Sequence, residues 1–174
     1  MWELYTLWVL LPLILATRLD SGVAVSAWSF AALGAGALGC VLGGVVAARR
    51  GSARVAAAQL ATSGLCGLAA PWLLTAPLPL FLAWLLLWGV TAAGDSPQFS
   101  ALTATNAPAD RVGSVLTLSN CLGFAVSALS IALFVGALQH GSMAQVLPWL
   151  ALGPALGLMA LRPLCRGPAN RPAA

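Results

Sequence analysis

The chain has 174 residues, 60% hydrophobic and 7% charged, with a formal net charge of +4. A soluble domain carries charge on about a quarter of its residues, so eight arginines, no lysine and four acids cannot coat a water-facing surface of this size. Together with a mean hydropathy of +0.94, this excludes a soluble enzyme, a nucleic-acid-binding domain and a disordered tail, and leaves a membrane protein.

A helix crossing the roughly 30 Å hydrocarbon core needs about 20 apolar residues. Charge, proline and glycine clusters divide the chain into six such candidates, over residues 2–16, 27–48, 55–74, 80–102, 112–138 and 144–161. Short links join them, as suits antiparallel neighbours, and residues 165–174 read as a disordered tail. None of the runs alternates polar and apolar residues as a transmembrane barrel strand does. The fold expected is all-α, a polytopic bundle of six transmembrane helices.

The first span opens on Met1-Trp2-Glu3-Leu4-Tyr5. It has no basic leader segment and no small-residue cleavage site, so it reads as part of the mature chain. At about 1.5 Å per residue it is short for a full crossing, which suggests a chain that begins inside a helix, as a truncated or half-length product would. Glu3 is the first acid in apolar surroundings. Carboxylates at such depth are costly and usually face a cavity or a partner.

The second span carries Gly34, Gly36, Gly39, Gly43 and Gly44. Gly39 and Gly43 form a GxxxG pair, which lets another helix backbone approach closely; Gly36, Gly39 and Gly43 are the expected packing face. A phosphate-binding loop is set aside, because no Lys-Ser/Thr follows and no strand precedes.

The fourth span contains the second buried acid, within Gly94-Asp95-Ser96-Pro97-Gln98. Pro97 removes a backbone donor, and interrupted helices at membrane depth line cavities or pack on protein. Measured from the far ends of their spans, Glu3 and Asp95 lie roughly 20 Å and 22 Å deep at about 1.5 Å per residue, nearly the same level. The competing reading ends this span near Ala93 and makes 94–98 an interfacial loop.

In the fifth span Ser114, Thr117, Ser119, Asn120, Ser127 and Ser130 suit hydrogen bonding between helices, with Asn120 also able to face a solute. Trp28, Trp72 and Trp149 fall near span ends as interfacial anchors. Trp84 and Trp88 share a helix face and read as packing or lipid contacts, and His140 sits in an exposed turn. Cys40, Cys66, Cys121 and Cys165 lie far apart and read as small hydrophobes; neither they nor the single histidine make a metal site. With both termini on the cytoplasmic side, Arg49, Arg50, Arg54, Arg111, Arg162, Arg166 and Arg171 all fall inside and only Arg18 outside. That asymmetry is the positive-inside signature of a multi-pass protein of the cell (inner or plasma) membrane.

The turn between the second and third spans reads Gly44-Val-Val-Ala-Ala48-Arg49-Arg50-Gly51-Ser52-Ala-Arg54. It resembles the cytoplasmic gating-loop motif of the major facilitator superfamily, with Gly44, Arg49, Gly51 and Arg54 in place and Ala48 where that motif has an acid. The opening Met-Trp-Glu-Leu-Tyr and Asp95-Ser-Pro-Gln-Phe-Ser100 are similar to the seventh and tenth helices of bacterial members. The resemblance implies a carboxy-terminal six-helix half of such a transporter. It implies that the first and fourth spans line the cavity and that the second and fifth meet the other half. The candidate pathway for a solute or proton is thus Glu3, Tyr5, Asp95, Ser96 and Gln98 on those two cavity spans, with Asn120 of the fifth added from its polar side chain.

The function expected is secondary transport of a small solute, with Glu3 or Asp95 binding a proton or a cationic group. The partners expected are the lipid bilayer, a small solute, and an amino-terminal six-helix half or a second copy; no cofactor, metal or nucleic acid is implied. The alternative is a membrane interaction or assembly protein that does not transport. An enzyme would need convergent nucleophile, base or metal groups, and the sequence has no His pair, acid cluster or GxSxG.

Overall fold

A computed structural model describes residues 1–166. Every regular element among them is helical: α1 (Leu4–Ala16), α2 (Gly22–Arg50), α3 (Ser52–Leu68), α4 (Ala70–Leu73), α5 (Leu78–Asn106), α6 (Val112–Leu138), α7 (Met143–Val146), a 3-10 helix (Leu147–Ala151) and α8 (Leu152–Arg166). Four helical stretches are long and apolar enough to cross a membrane: Gly22–Arg50, Leu78–Asn106, Val112–Leu138 and Met143–Cys165. The other two expected spans fall short of that standard. α1 has 13 residues, about 20 Å at 1.5 Å per residue. α3 has 17 and carries Arg54, Gln59, Thr62 and Ser63; Pro71 in the first turn of α4 starts a new helix where an unbroken one was expected to 74.

Other boundaries follow from local chemistry. α2 begins five residues earlier than the predicted 27, because the Ser21 hydroxyl accepts the Ala24 backbone N–H at 3.4 Å and caps the helix. Between α2 and α3 the chain reverses at Gly51, whose φ of 84° belongs to the region only glycine enters without strain. α5 does not end near Ala93. It continues unbroken through Pro97 to Asn106, so residues 94–98 are helix rather than loop. Pro97 cannot donate to the Ala93 carbonyl one turn back, and the Cys40 thiol of α2 points at that oxygen instead, at 3.5 Å. α8 extends to Arg166, so the first residues of the expected tail are helical; residues 167–174, with Arg171, lie outside the described residues.

The centre of the molecule is α1 and α5. On α1, Leu4, Thr6, Leu7, Leu10, Leu11, Ile14 and Leu15 are all buried, and Phe81, Trp84, Leu85 and Trp88 of α5 pack with them in one core. The α2 glycines were expected, by resemblance, at an interface with another half. Gly36 and Gly39 face α5 within this chain, and Gly43 faces Gln59 of α3 as well as Gln98 of α5. A Cβ added at Gly39 would overlap the Val90 carbonyl, one at Gly89 the Ala32 carbonyl, and one at Gly36 would come within 2.7 Å of Ala93 Cβ. The two backbones touch because no side chain stands between them.

By contrast α6 is almost bare. Of its 27 residues only Ser127, Ser130 and Phe134 are buried. Those serines tie it to the start of α1: Ser127 donates to the Met1 carbonyl at 3.0 Å, and Thr6 donates to Ser130 at 2.8 Å, which donates in turn to the Trp2 carbonyl at 2.9 Å. At the far end of α1, Arg18 reaches across to the Leu74 and Ala76 carbonyls at 2.5 Å and 2.9 Å. Its guanidinium also lies 5.4 Å from the centre of the Phe81 ring.

Candidate functional site

Glu3 sits just ahead of the first turn of α1, and its side chain turns inward to 6% exposure. Trp88 of α5 donates its indole N–H to Oε1 at 2.6 Å, and Ser63 of α3 donates its hydroxyl to Oε2 at 2.7 Å. A buried carboxylate needs such partners, and these two fix both oxygens from different helices. Ser63 is itself fully buried. Trp84, one turn before Trp88, stacks near it with ring centres 5.2 Å apart and donates to the Cys66 carbonyl at 3.0 Å. Both tryptophans are therefore interior groups, packed within the bundle.

Beside Glu3 lies a cavity of about 190 Å³, walled by Met1 to Leu4, Leu60 of α3, Ala92, Asp95 and Phe99 of α5, and Gly153, Pro154 and Gly157. Ala92, Asp95 and Phe99 are spaced three and four residues apart, so they form one helix face; Trp88 continues that face one turn up. Asp95 is half-buried, and among the described residues the Ser96 hydroxyl donates to its carboxylate, at 3.4 Å. The two glycines of α8 open the opposite wall: a Cβ at Gly153 would press into the Trp2 ring at 2.7 Å. The one ion pair among the described residues is Arg111 with Asp110, so neither carboxylate at the cavity has a cationic side chain against it.

Of the six expected pathway residues, Glu3 and Asp95 share this cavity and Ser96 touches Asp95. The other three lie elsewhere. Tyr5 turns to α6, with its ring 5.5 Å from Phe124 and 5.3 Å from Trp8. Gln98 is buried at 3% exposure but faces α2, where a Cβ on Gly43 would lie 3.4 Å from its amide nitrogen. Asn120 stands on the exposed side of α6. Sequence reading missed Ser63 and passed over Trp88. A lone serine beside Thr62 carries no signal, whereas Trp88 lies seven residues before Asp95, two turns along the same face, and could have been found by that spacing.

In the turn expected by resemblance to be a gating loop, Arg49 and Arg54 are exposed, as is Arg50 beside them, Gly44 has open space around it, and Gly51 makes the turn. No three His, Cys, Asp or Glu side chains among the described residues converge as a metal site would need. Comparison with protein-family models, with curated proteins and with solved structures finds no match.

Proposed function

We propose that this chain is a bundle of a membrane carrier that moves a small solute, with Glu3 and Asp95 as the groups that take up a proton or a cationic part of the solute. The observation that carries the reading is the shared cavity: two acids from helices distant in sequence border one space deep in an apolar bundle, and among the described residues neither is paired with an arginine. Carboxylates at such depth are costly to retain, and binding of a cation at each cycle is a use that offsets the cost. Each carboxylate oxygen has two acceptor positions, so Glu3 can hold its bonds to Trp88 and Ser63 and still receive a proton.

In this reading the chain has six membrane crossings, α1 and α3 to α4 included, and both termini face the cytoplasm with the arginine-rich turn. It corresponds to one half of a two-bundle transporter of the major facilitator type. The other half, or a second copy, covers α2 and α6. Carriers of this architecture work by rocking one bundle against the other around a midplane site. The alternative, an assembly protein that does not transport, is favoured by the bareness of α6, which suits a partner helix equally well.

Proteoliposomes holding an entrapped pH dye and a fluorescent lipophilic cation as probe test the proposal. The expected result is cation movement under an imposed proton gradient, lost in Glu3→Gln and Asp95→Asn and kept in Asp110→Asn. Equal movement in both neutralised variants removes the carrier chemistry. No movement with the unaltered protein supports the assembly reading instead.

A further inference from the structure

We propose that the groove between α2, α3 and α5 at the arginine-bearing end of the bundle is a binding site for an anionic phospholipid. It has a volume of about 380 Å³ and is lined by Leu42 and Val46 of α2, Val55 and Ala58 of α3, and Val90 of α5, with Arg50 and Arg54 at its mouth. This inference rests on membrane insertion of the four long apolar helices, and is independent of transport.

Three features select the occupant. The first is charge. Arg50 closes α2 and Arg54 lies in the first turn of α3. The glycine turn at Gly51 folds these two turns against each other, so both guanidinium groups reach the same opening. None of the four acids lines the groove, and neither arginine is in an ion pair among the described residues. A guanidinium pair of this kind suits a phosphodiester, which accepts hydrogen bonds through two oxygens at once.

The second feature is length. From Arg50 to Gly39, the deepest α2 residue in the lining, is about 16 Å at 1.5 Å per residue. One leaflet of hydrocarbon is about 15 Å thick, half of the roughly 30 Å core. The apolar walls therefore run as far as an acyl chain runs below its phosphate. A free phosphate ion would use the mouth and leave the rest of the groove bare.

The third is access. Leu42 and Val46 are 60% and 40% exposed, so the groove opens sideways, toward the surrounding lipid, rather than only at its mouth. The floor is set by Gly39 and Gly43, whose missing side chains let α5 and Gln59 close it: a Cβ at Gly43 would lie 2.8 Å from the Gln59 amide nitrogen.

The test is native mass spectrometry of the full chain released from nanodiscs of phosphatidylcholine containing a minor fraction of phosphatidylglycerol. The unaltered protein is expected to retain phosphatidylglycerol in preference to phosphatidylcholine. Each basic residue near the surface contributes roughly fivefold to attraction of anionic lipid, so Arg50→Gln with Arg54→Gln should reduce that preference about thirtyfold. Arg49→Gln, which removes one charge outside the groove, should reduce it by no more than that general roughly fivefold factor. Ala58→Trp fills the groove with both arginines in place, and should also abolish retention. Arg49, Arg50, Arg54 and Ala58 are all exposed, and helicity by circular dichroism checks that each variant is folded.

Equal retention of the two lipids by the unaltered protein overturns the proposal. Full retention by Ala58→Trp also overturns it, because it assigns the effect to surface charge alone. Displacement of the lipid by inorganic phosphate at the low concentrations that saturate a free-anion site would reassign the arginines to that anion. A protein that retains the lipid yet moves no cation would leave this site standing while the carrier reading falls.

Discussion

Trp88 and Glu3, 85 residues apart in the chain, meet at 2.6 Å, with the indole N–H aimed at one carboxylate oxygen. This bond holds the start of α1 against the middle of α5, and the Ser63 hydroxyl adds α3 to the same carboxylate. Trp88→Phe keeps the ring and removes the donor. Unfolding in mild detergent should show a loss of about 1–3 kcal/mol, the cost of a buried acceptor left unpaired. Glu3→Gln, which can still accept from Trp88, should cost less than Glu3→Leu, which abandons both donors. Equal losses in these two variants would show that the bonds do not matter.

Close approach of α2 and α5 depends on glycine at particular positions. Gly39→Ala forces a Cβ into the Val90 carbonyl, and Gly89→Ala forces one into that of Ala32. Each should destabilise the bundle by about 1–3 kcal/mol, the usual cost of overpacking. Gly44→Ala meets nothing within 4 Å and should raise stability by about 0.5–1 kcal/mol through helix propensity. Thermal unfolding of the three variants checks the contrast in sign.

Arg18 fastens the end of α1 to the turn before α5 through the Leu74 and Ala76 carbonyls. Arg18→Leu should speed hydrogen exchange over residues 74–76 and cost about 1–3 kcal/mol. Arg18→Lys should recover part of this, since one ammonium cannot reproduce the fork of donors. Unchanged exchange in Arg18→Leu would mean that the turn holds by itself.

At Pro97 the helix lacks one internal hydrogen bond, and Cys40 supplies a weak substitute at the Ala93 carbonyl. Pro97→Ala restores the backbone donor and should raise the thermal midpoint. Cys40→Ala should then cost less in the Pro97→Ala background than in the unaltered chain, and a double-mutant cycle measures that coupling. Additive effects would show that the thiol and the proline act separately.

The amino-acid sequence carried the composition argument for a membrane protein and the position of its long helices, because an apolar run of the required length has few other uses. The bounds 112–138 are read directly between Arg111 and Gln139, where the polar residues stop the run, and α6 occupies the same range. Helix ends set by a single hydrogen bond were less legible. Ser21 lengthens α2 through its cap, and α5 passes Pro97 because neighbouring helices support it there.

Two acids at similar depth could be counted along the chain, since the rise per residue is constant in a helix. Which way each side chain points depends on how the helix is rotated in its packing. The rotation of α5 sends Asp95 to the cavity and Gln98 to α2; Tyr5 is drawn to Phe124, and Asn120 is left outside. Sequence alone determined that this chain is helical, apolar and burdened with two acids in its interior. Only the tertiary structure decided that Trp88 and Ser63 hold the first of them and that the second shares its cavity, because contacts between residues far apart in the chain exist only once the helices have packed.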